Sequence, residues 1–133
     1  MTGVQTCALP IFDALDLGLV VRDERGILLK ERIVLDGARR DGLGGTEGFG
    51  YLATFVALAP AREGWGDLVA ELSTALDALD SGARFGVSAL GRGGLLARLL
   101  CPSAPALEAA VHTLWTESRR LLLGLAPLAL RKL

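Results

Sequence analysis

Two stretches of this chain place their apolar residues every three or four positions, and the rest does not. In residues 63–79, Trp65, Leu68, Val69, Leu72, Leu76 and Leu79 follow at spacings of 3, 1, 3, 4 and 3, which is one face of a helix. In residues 105–123 a second stripe runs through Leu107, Val111, Leu114, Trp115, Ser118 and Leu122. Each large apolar side chain gains about 1.5–3 kcal/mol on burial, so both faces must be covered by something. Aromatic residues are only 5% of the chain, so that cover must be built from Leu, Val and Ala.

The intervening segments supply it as strands. Residues 15–22, LDLGLVVR, and 27–35, ILLKERIVL, flank the polar turn Asp23-Glu24-Arg25-Gly26. In the second of them Ile27, Leu29, Ile33 and Leu35 share one face at period two, Lys30 and Arg32 the other, and Glu31 interrupts the apolar face. The pattern predicts a β-hairpin with a four-residue loop. Residues 36–50 carry six glycines and read as a loop or a run of tight turns. Residues 51–58, YLATFVAL, suit a buried strand that Pro60 ends. Residues 84–90 and 95–100 flank Gly91-Arg92-Gly93-Gly94, a second hairpin. Gly82 is the expected stop of the first helix, and Gly124 that of the second. Pro105 suits the first turn of the second helix, with Ser103 or Ala104 near its cap. The expected order is β-β-(Gly loop)-β-α-β-β-α. That is a mainly β fold with α (α+β), made of β-hairpins plus two amphipathic helices near the C-terminus.

Charge excludes several functions. The net charge is −1 and the pI near 5.8, which leaves no electrostatic case for nucleic acid or an anionic membrane. Hydrophobic residues at 51% against 22% charged argue for a packed core. A mean hydropathy of +0.44 favours a chain that buries surface against a partner, or a piece of a larger protein. The longest apolar run, LLLGLAPLAL at 121–130, is ten residues interrupted by Pro127, short of the roughly 20 a bilayer needs. The first residues lack a basic region followed by a long apolar core, so a signal peptide is not expected there. Two cysteines far apart suggest no disulfide framework, and a cytoplasmic setting is the default expectation.

Residues 1–11, MTGVQTCALPI, differ from everything after them. They hold the only Gln, Gln5, and one of the two cysteines, Cys7, in a chain without Asn. The stretch resembles the translation of a widely used short-read sequencing adapter, VTGVQTCALPI, with a GTG codon read as the initiator Met1. The expectation is a non-native, adapter-derived segment at 1–11. Residues 12–133, which are 133 − 11 = 122 residues, then form the later part of a single domain whose N-terminal portion is missing. Cys7 is accordingly left out of the chemistry.

Candidate chemistry is sparse. His112, the only His, shares a helix face with Glu108 and Thr116, four residues to either side. Glu108 and His112 could supply two metal ligands, but two do not complete a site, and a solvated helix face is the simpler reading. Cys101 would need a base and an orienting group to act as a nucleophile, and only His112 is available. GLGGTEGFG, at 42–50, matches neither phosphate-loop pattern and leads into a strand instead of a helix. Arg39-Arg40 and Arg119-Arg120 read as solvated pairs. Without a catalytic constellation, high apolarity points to a scaffold or assembly factor. The alternative is a small α+β ligand-binding or regulatory domain without catalysis.

The order and wording of the segments also resemble a known family. LDLGLVVRDERGILLKERIVLDG (15–37), the GLGG at 42–45 and the strand at 51–58 look like the middle of the urease accessory protein UreD (UreH) family. GVSALGRGGLLARLLCPSAPALEAAVHTLWTESRRLLLG (86–124) is similar to its "GVSxLxxxGLLxRxLxxxxxxLxxxxxxLWxxxRxxLLG" pattern. The tail departs from it: many members end near "PPRIW", and this chain ends APLALRKL, with Arg131 the one basic match. The resemblance implies a fragment of a β-helix-like stack with helices near the C-terminus, about the C-terminal half of the family's length. It implies a non-enzyme that acts with UreF and the GTPase UreG to deliver nickel to apo-urease. Nickel would be in transit by an internal route, with no tightly bound cofactor. A fragment of this kind is expected to be poorly soluble alone.

Overall fold

The computed structural model describes residues 2–8, 14–36, 46 and 48–126. Its elements are β1 (Thr2–Ala8), β2 (Ala14–Asp23), β3 (Gly26–Asp36), β4 (Tyr51–Leu58), α1 (Trp65–Ala78), β5 (Arg84–Ala89), β6 (Gly94–Cys101) and α2 (Ala104–Leu123). The fold is mainly β with α, of the α+β kind, as the two apolar periods predict. It has three layers. An antiparallel sheet in the order β1-β4-β6-β5 lies in the middle, α1 and α2 cover one face, and the β2–β3 hairpin packs on the other.

The middle layer reads directly from its side chains. Along β6, Leu95, Ala97, Leu99 and Cys101 point to the helices and are fully buried, while Leu96, Arg98 and Leu100 point to the opposite face. In β4, Ala53, Phe55 and Ala57 face the helices, and Leu52, Thr54 and Val56 face away. A strand covered on both faces needs such an unbroken apolar run. Alanines at 53, 57 and 97 let the helices approach closely, and Leu68, Leu72 and Leu76 of α1 meet Leu107, Ala110 and Leu114 of α2 over them. The helix stripes expected from spacing are the ones that pack, except that Trp115 stays outside the core and Ala110 takes a place in it.

Local chemistry sets the helix ends. Ser103 caps α2, its Oγ accepting from Ala106 N–H at 3.2 Å, and Pro105 lies in the first turn. Gly124, at φ +65°, closes it and donates its N–H to Arg120 O. Helix α1 starts after Gly64 without a side-chain cap. It stops earlier than the expected Gly82: its last residue is Ala78, and Asp80 takes the left-handed conformation at φ +46°. Asp tolerates that region because its short side chain hydrogen-bonds locally.

Three further differences have physical causes. The first hairpin's loop is only Glu24 and Arg25, since Asp23 and Gly26 still pair as its last rung. Arg25 N–H turns back onto Asp23 Oδ1 at 2.8 Å, and Gly26 carries φ +123°. Ile27 does not share the face of Leu29, Ile33 and Leu35. A bulge opposite Val21 and Arg22 leaves Leu28 as an extra residue, which reverses the alternation and turns Ile27 outward, 52% exposed. Finally, β1 pairs with β4 where the sequence reading expected no element. The Gly-rich loop lies largely outside the described residues; within them, Phe49 N–H bonds Thr46 O in a turn.

Candidate functional site

Glu31 is the residue that the apolar alternation of β3 does not explain. The strand aims it at the central sheet, beside Leu35 and Ile33, where an apolar side chain would be expected. Arg98 on β6 meets it: Nη2 lies 2.8 Å from Oε1. The Glu31 side chain is only 5% exposed and the Arg98 side chain 51%, so a buried carboxylate is paired with a half-solvated cation. The contact is ionic and not a well-aligned hydrogen bond, and neither carboxylate oxygen has a hydrogen-bond partner among the described residues. Arg98 stands opposite Thr54 on β4, itself buried.

Two spaces meet at this pair. Glu31 borders a small pocket of about 20 Å³ lined also by Leu17, Leu19, Ile33, Leu52 and Thr54. Arg98 borders a larger cleft of about 460 Å³ between the hairpin and the β5 side of the sheet, lined also by Arg32, Arg84, Thr46, Phe85 and Leu100. The cleft's arginines are engaged. Arg32 is held bidentately by Asp16 across the hairpin's outer face, at 2.8 and 2.6 Å, and the guanidinium keeps the Asp16 carboxyl below its usual range. Arg84 lies over the Phe49 ring at 5.8 Å.

A second ionic contact joins the layers at the turns. Arg92, in the β5–β6 turn, grips Asp23 at the tip of the β2–β3 hairpin with Nη2–Oδ1 2.6 Å and Nε–Oδ2 3.1 Å. Its hydrogen bonds lower the Asp23 pKa and raise that of Arg92. The turn that holds Arg92 is tight. A Cβ on Gly94 would come within 2.7 Å of Ala57 O, and Gly93, at φ +60°, would bring one 3.0 Å from Pro60 Cα. In the sequence pattern this stretch is only a hairpin turn. The available signal was a lone Arg within a run of glycines, a residue that a turn does not need. Arg98 had a similar signal, being the one charge inside LLARLL.

The residues singled out from sequence lie elsewhere. His112 and Glu108 are exposed on α2, with His112 Nε2 3.5 Å from Thr116 Oγ1. No group of three or more His, Cys, Asp or Glu that could hold a metal ion occurs among the described residues. Cys101 is fully buried among core residues, and burial raises its thiol pKa, which disfavours the thiolate that nucleophilic chemistry uses. Trp65 is in the core, with Nε1 donating to Arg62 O at 2.9 Å. Trp115 is only half-buried. It lines an apolar groove of about 300 Å³ with Leu58, Leu122, Leu123 and Leu125 at the end of α2. No described helix is long and apolar enough to cross a membrane.

Layers tied by charge at Glu31–Arg98 and Asp23–Arg92, beside a cleft lined by Arg32, Arg84 and Arg98, define an α+β protein held together by ion pairs between its layers. The chain belongs to the UreD urease accessory protein family, whose profile it matches over residues 11–132. The match takes in both hairpins and both helices and leaves residues 1–10 outside. A comparison with curated proteins finds no match.

Proposed function

We propose that the chain is a scaffold of urease maturation, which acts with UreF and UreG to insert nickel into apo-urease in the cytoplasm. The observation that carries this reading is the family match over residues 11–132. The architecture is compatible with it, since cross-layer ion pairs and a continuous core hold surfaces in fixed relation for protein partners. In this reading nickel is cargo, and the chain contributes binding surfaces and not a bond-making group. Residues 12–133 would be the later part of the UreD-like domain, joined to an adapter-derived leader.

The test is co-expression. The natural full-length protein is expected to co-purify with UreF and UreG and to restore nickel-dependent urease activity to cells lacking their own version. Failure to bind UreF would overturn the reading. So would urease that reaches full nickel occupancy without the protein.

A further inference from the structure

β4 is built as an interior strand, yet the segment that completes it is the one that resembles an adapter. Its sequence, YLATFVAL, has no charge, proline or glycine, and residues 52–57 are all buried. Strands at the edge of a sheet carry charges, glycine, proline or bulges that discourage further pairing, and β4 has none of these. β5, at the opposite edge, has such features: Arg84 at its start and Gly86 and Ser88 pointing away from the helices. One side of β4 is taken by β6. The other is taken by β1, in unbroken register from Thr2↔Ala57 to Ala8↔Tyr51.

The family profile does not account for β1, because the match begins at residue 11. Main-chain ladder bonds are the same for any extended sequence, so an edge that lacks its own strand can accept a substitute. The path of the chain says whose place is taken. Ala8 pairs with Tyr51, and β2 begins at Ala14, six residues further on (14 − 8). Leu15, the second residue of β2, packs on the Leu35 and Leu52 cluster, so a polypeptide entering β2 arrives beside the Tyr51 end of β4.

We propose that the outer edge of β4, Tyr51–Leu58, is a strand-acceptor site which, in the natural protein, is filled by the stretch of the same polypeptide directly upstream of Phe12. Thr2–Ala8 occupies that position as a substitute, held by main-chain bonds. This does not depend on the urease reading, and its readout involves neither nickel nor a partner.

Amide hydrogen exchange on the full chain tests it. The β4 amides alternate between β6 and β1, and both sets are expected to be protected. Replacing Thr2–Ala8 by an unrelated seven-residue β-branched strand should leave both sets protected. Two proline variants, Gly3→Pro with Gln5→Pro and Val4→Pro with Thr6→Pro, differ in which N–H groups they delete. One of the two should speed exchange at the β1-facing set by about 100-fold and leave the β6-facing set unchanged. Replacing residues 1–11 with the residues that the genomic gene encodes before Phe12 should keep both sets protected. The proposal is overturned if the unrelated strand exchanges as fast as the proline variant. It also fails if both proline variants stay protected, if the genomic version loses protection, or if the genomic gene itself encodes MTGVQTCALPI.

Discussion

At the Glu31–Arg98 pair, the cost of taking a carboxylate out of water opposes its attraction to the guanidinium. Such pairs are close to neutral when compared with an apolar replacement, but removing one member leaves an uncompensated charge. Arg98→Met is therefore expected to lower stability by about 2–3 kcal/mol, less than for a fully buried pair because Arg98 is half-solvated. The double variant Glu31→Leu with Arg98→Met should recover most of that loss. Urea titration of wild type, single and double variants measures both, and a double variant no better than the single one would contradict this account. Asp23 makes a prediction in pH. Hydrogen bonds from Arg92 hold its carboxyl below the ordinary 3.8 in the folded chain. A depressed carboxylate contributes stability above its unfolded value and loses it as pH falls through the folded one. The Asp23–Arg92 contact should thus loosen only in acid, below about pH 4. Asp23→Asn should flatten the stability–pH curve there while leaving its slope near neutral pH unchanged.

At the scale of elements, the two helices and the central sheet share one core, so a hole in it is felt by all three. Leu72 on α1 is fully buried among Leu68, Leu76 and residues of β6 and α2. Leu72→Ala is expected to cost about 2–5 kcal/mol by transfer loss and an unfilled cavity. The β5–β6 turn offers the opposite error, overpacking. Gly94→Ala would force a Cβ against Ala57 O and Leu58 Cδ2, at 2.7 and 2.8 Å, and should cost about 1–3 kcal/mol. Because Arg92 lies two residues away, that variant should also weaken the tie to the hairpin. Denaturant midpoints check the energies, and faster exchange of the β2–β3 amides checks the coupling.

For the whole molecule, the exposed apolar side chains gather on outer surfaces. Val20 and Val34 stand on the solvent face of the β2–β3 hairpin, 47% and 49% exposed, and Ile27 joins them near its tip. Leu123 and Leu125 are exposed beside the Trp115 groove. Surfaces of this kind associate when they have no partner. The chain alone should self-associate as its concentration rises, and Val20→Thr with Val34→Thr should raise the threshold measurably in light scattering. A monodisperse wild-type chain with an unchanged double variant would contradict it.

Much of the fold was legible in order and spacing, because burial imposes a period of two on a strand and 3.6 on a helix. Both helix stripes, both hairpins, β4 and the Ser103 and Gly124 ends of α2 could be read in this way. The UreD resemblance was legible too, since it lies in the order of the segments themselves. The bulge at Leu28 was not, because one extra residue leaves no mark on composition while it inverts the face of Ile27. The candidate site was the least legible part. Arg92 and Arg98 each meet a carboxylate 69 and 67 residues away, as 92 − 23 and 98 − 31, and no local period reports a contact of that range. Sequence by itself determined which residues must be buried and on which local face. Only the tertiary structure decided which layer covers each face, what neutralises Glu31, and that the bare edge of β4 takes a strand. Those depend on backbone geometry and on charges brought together through space, which a one-dimensional pattern does not carry.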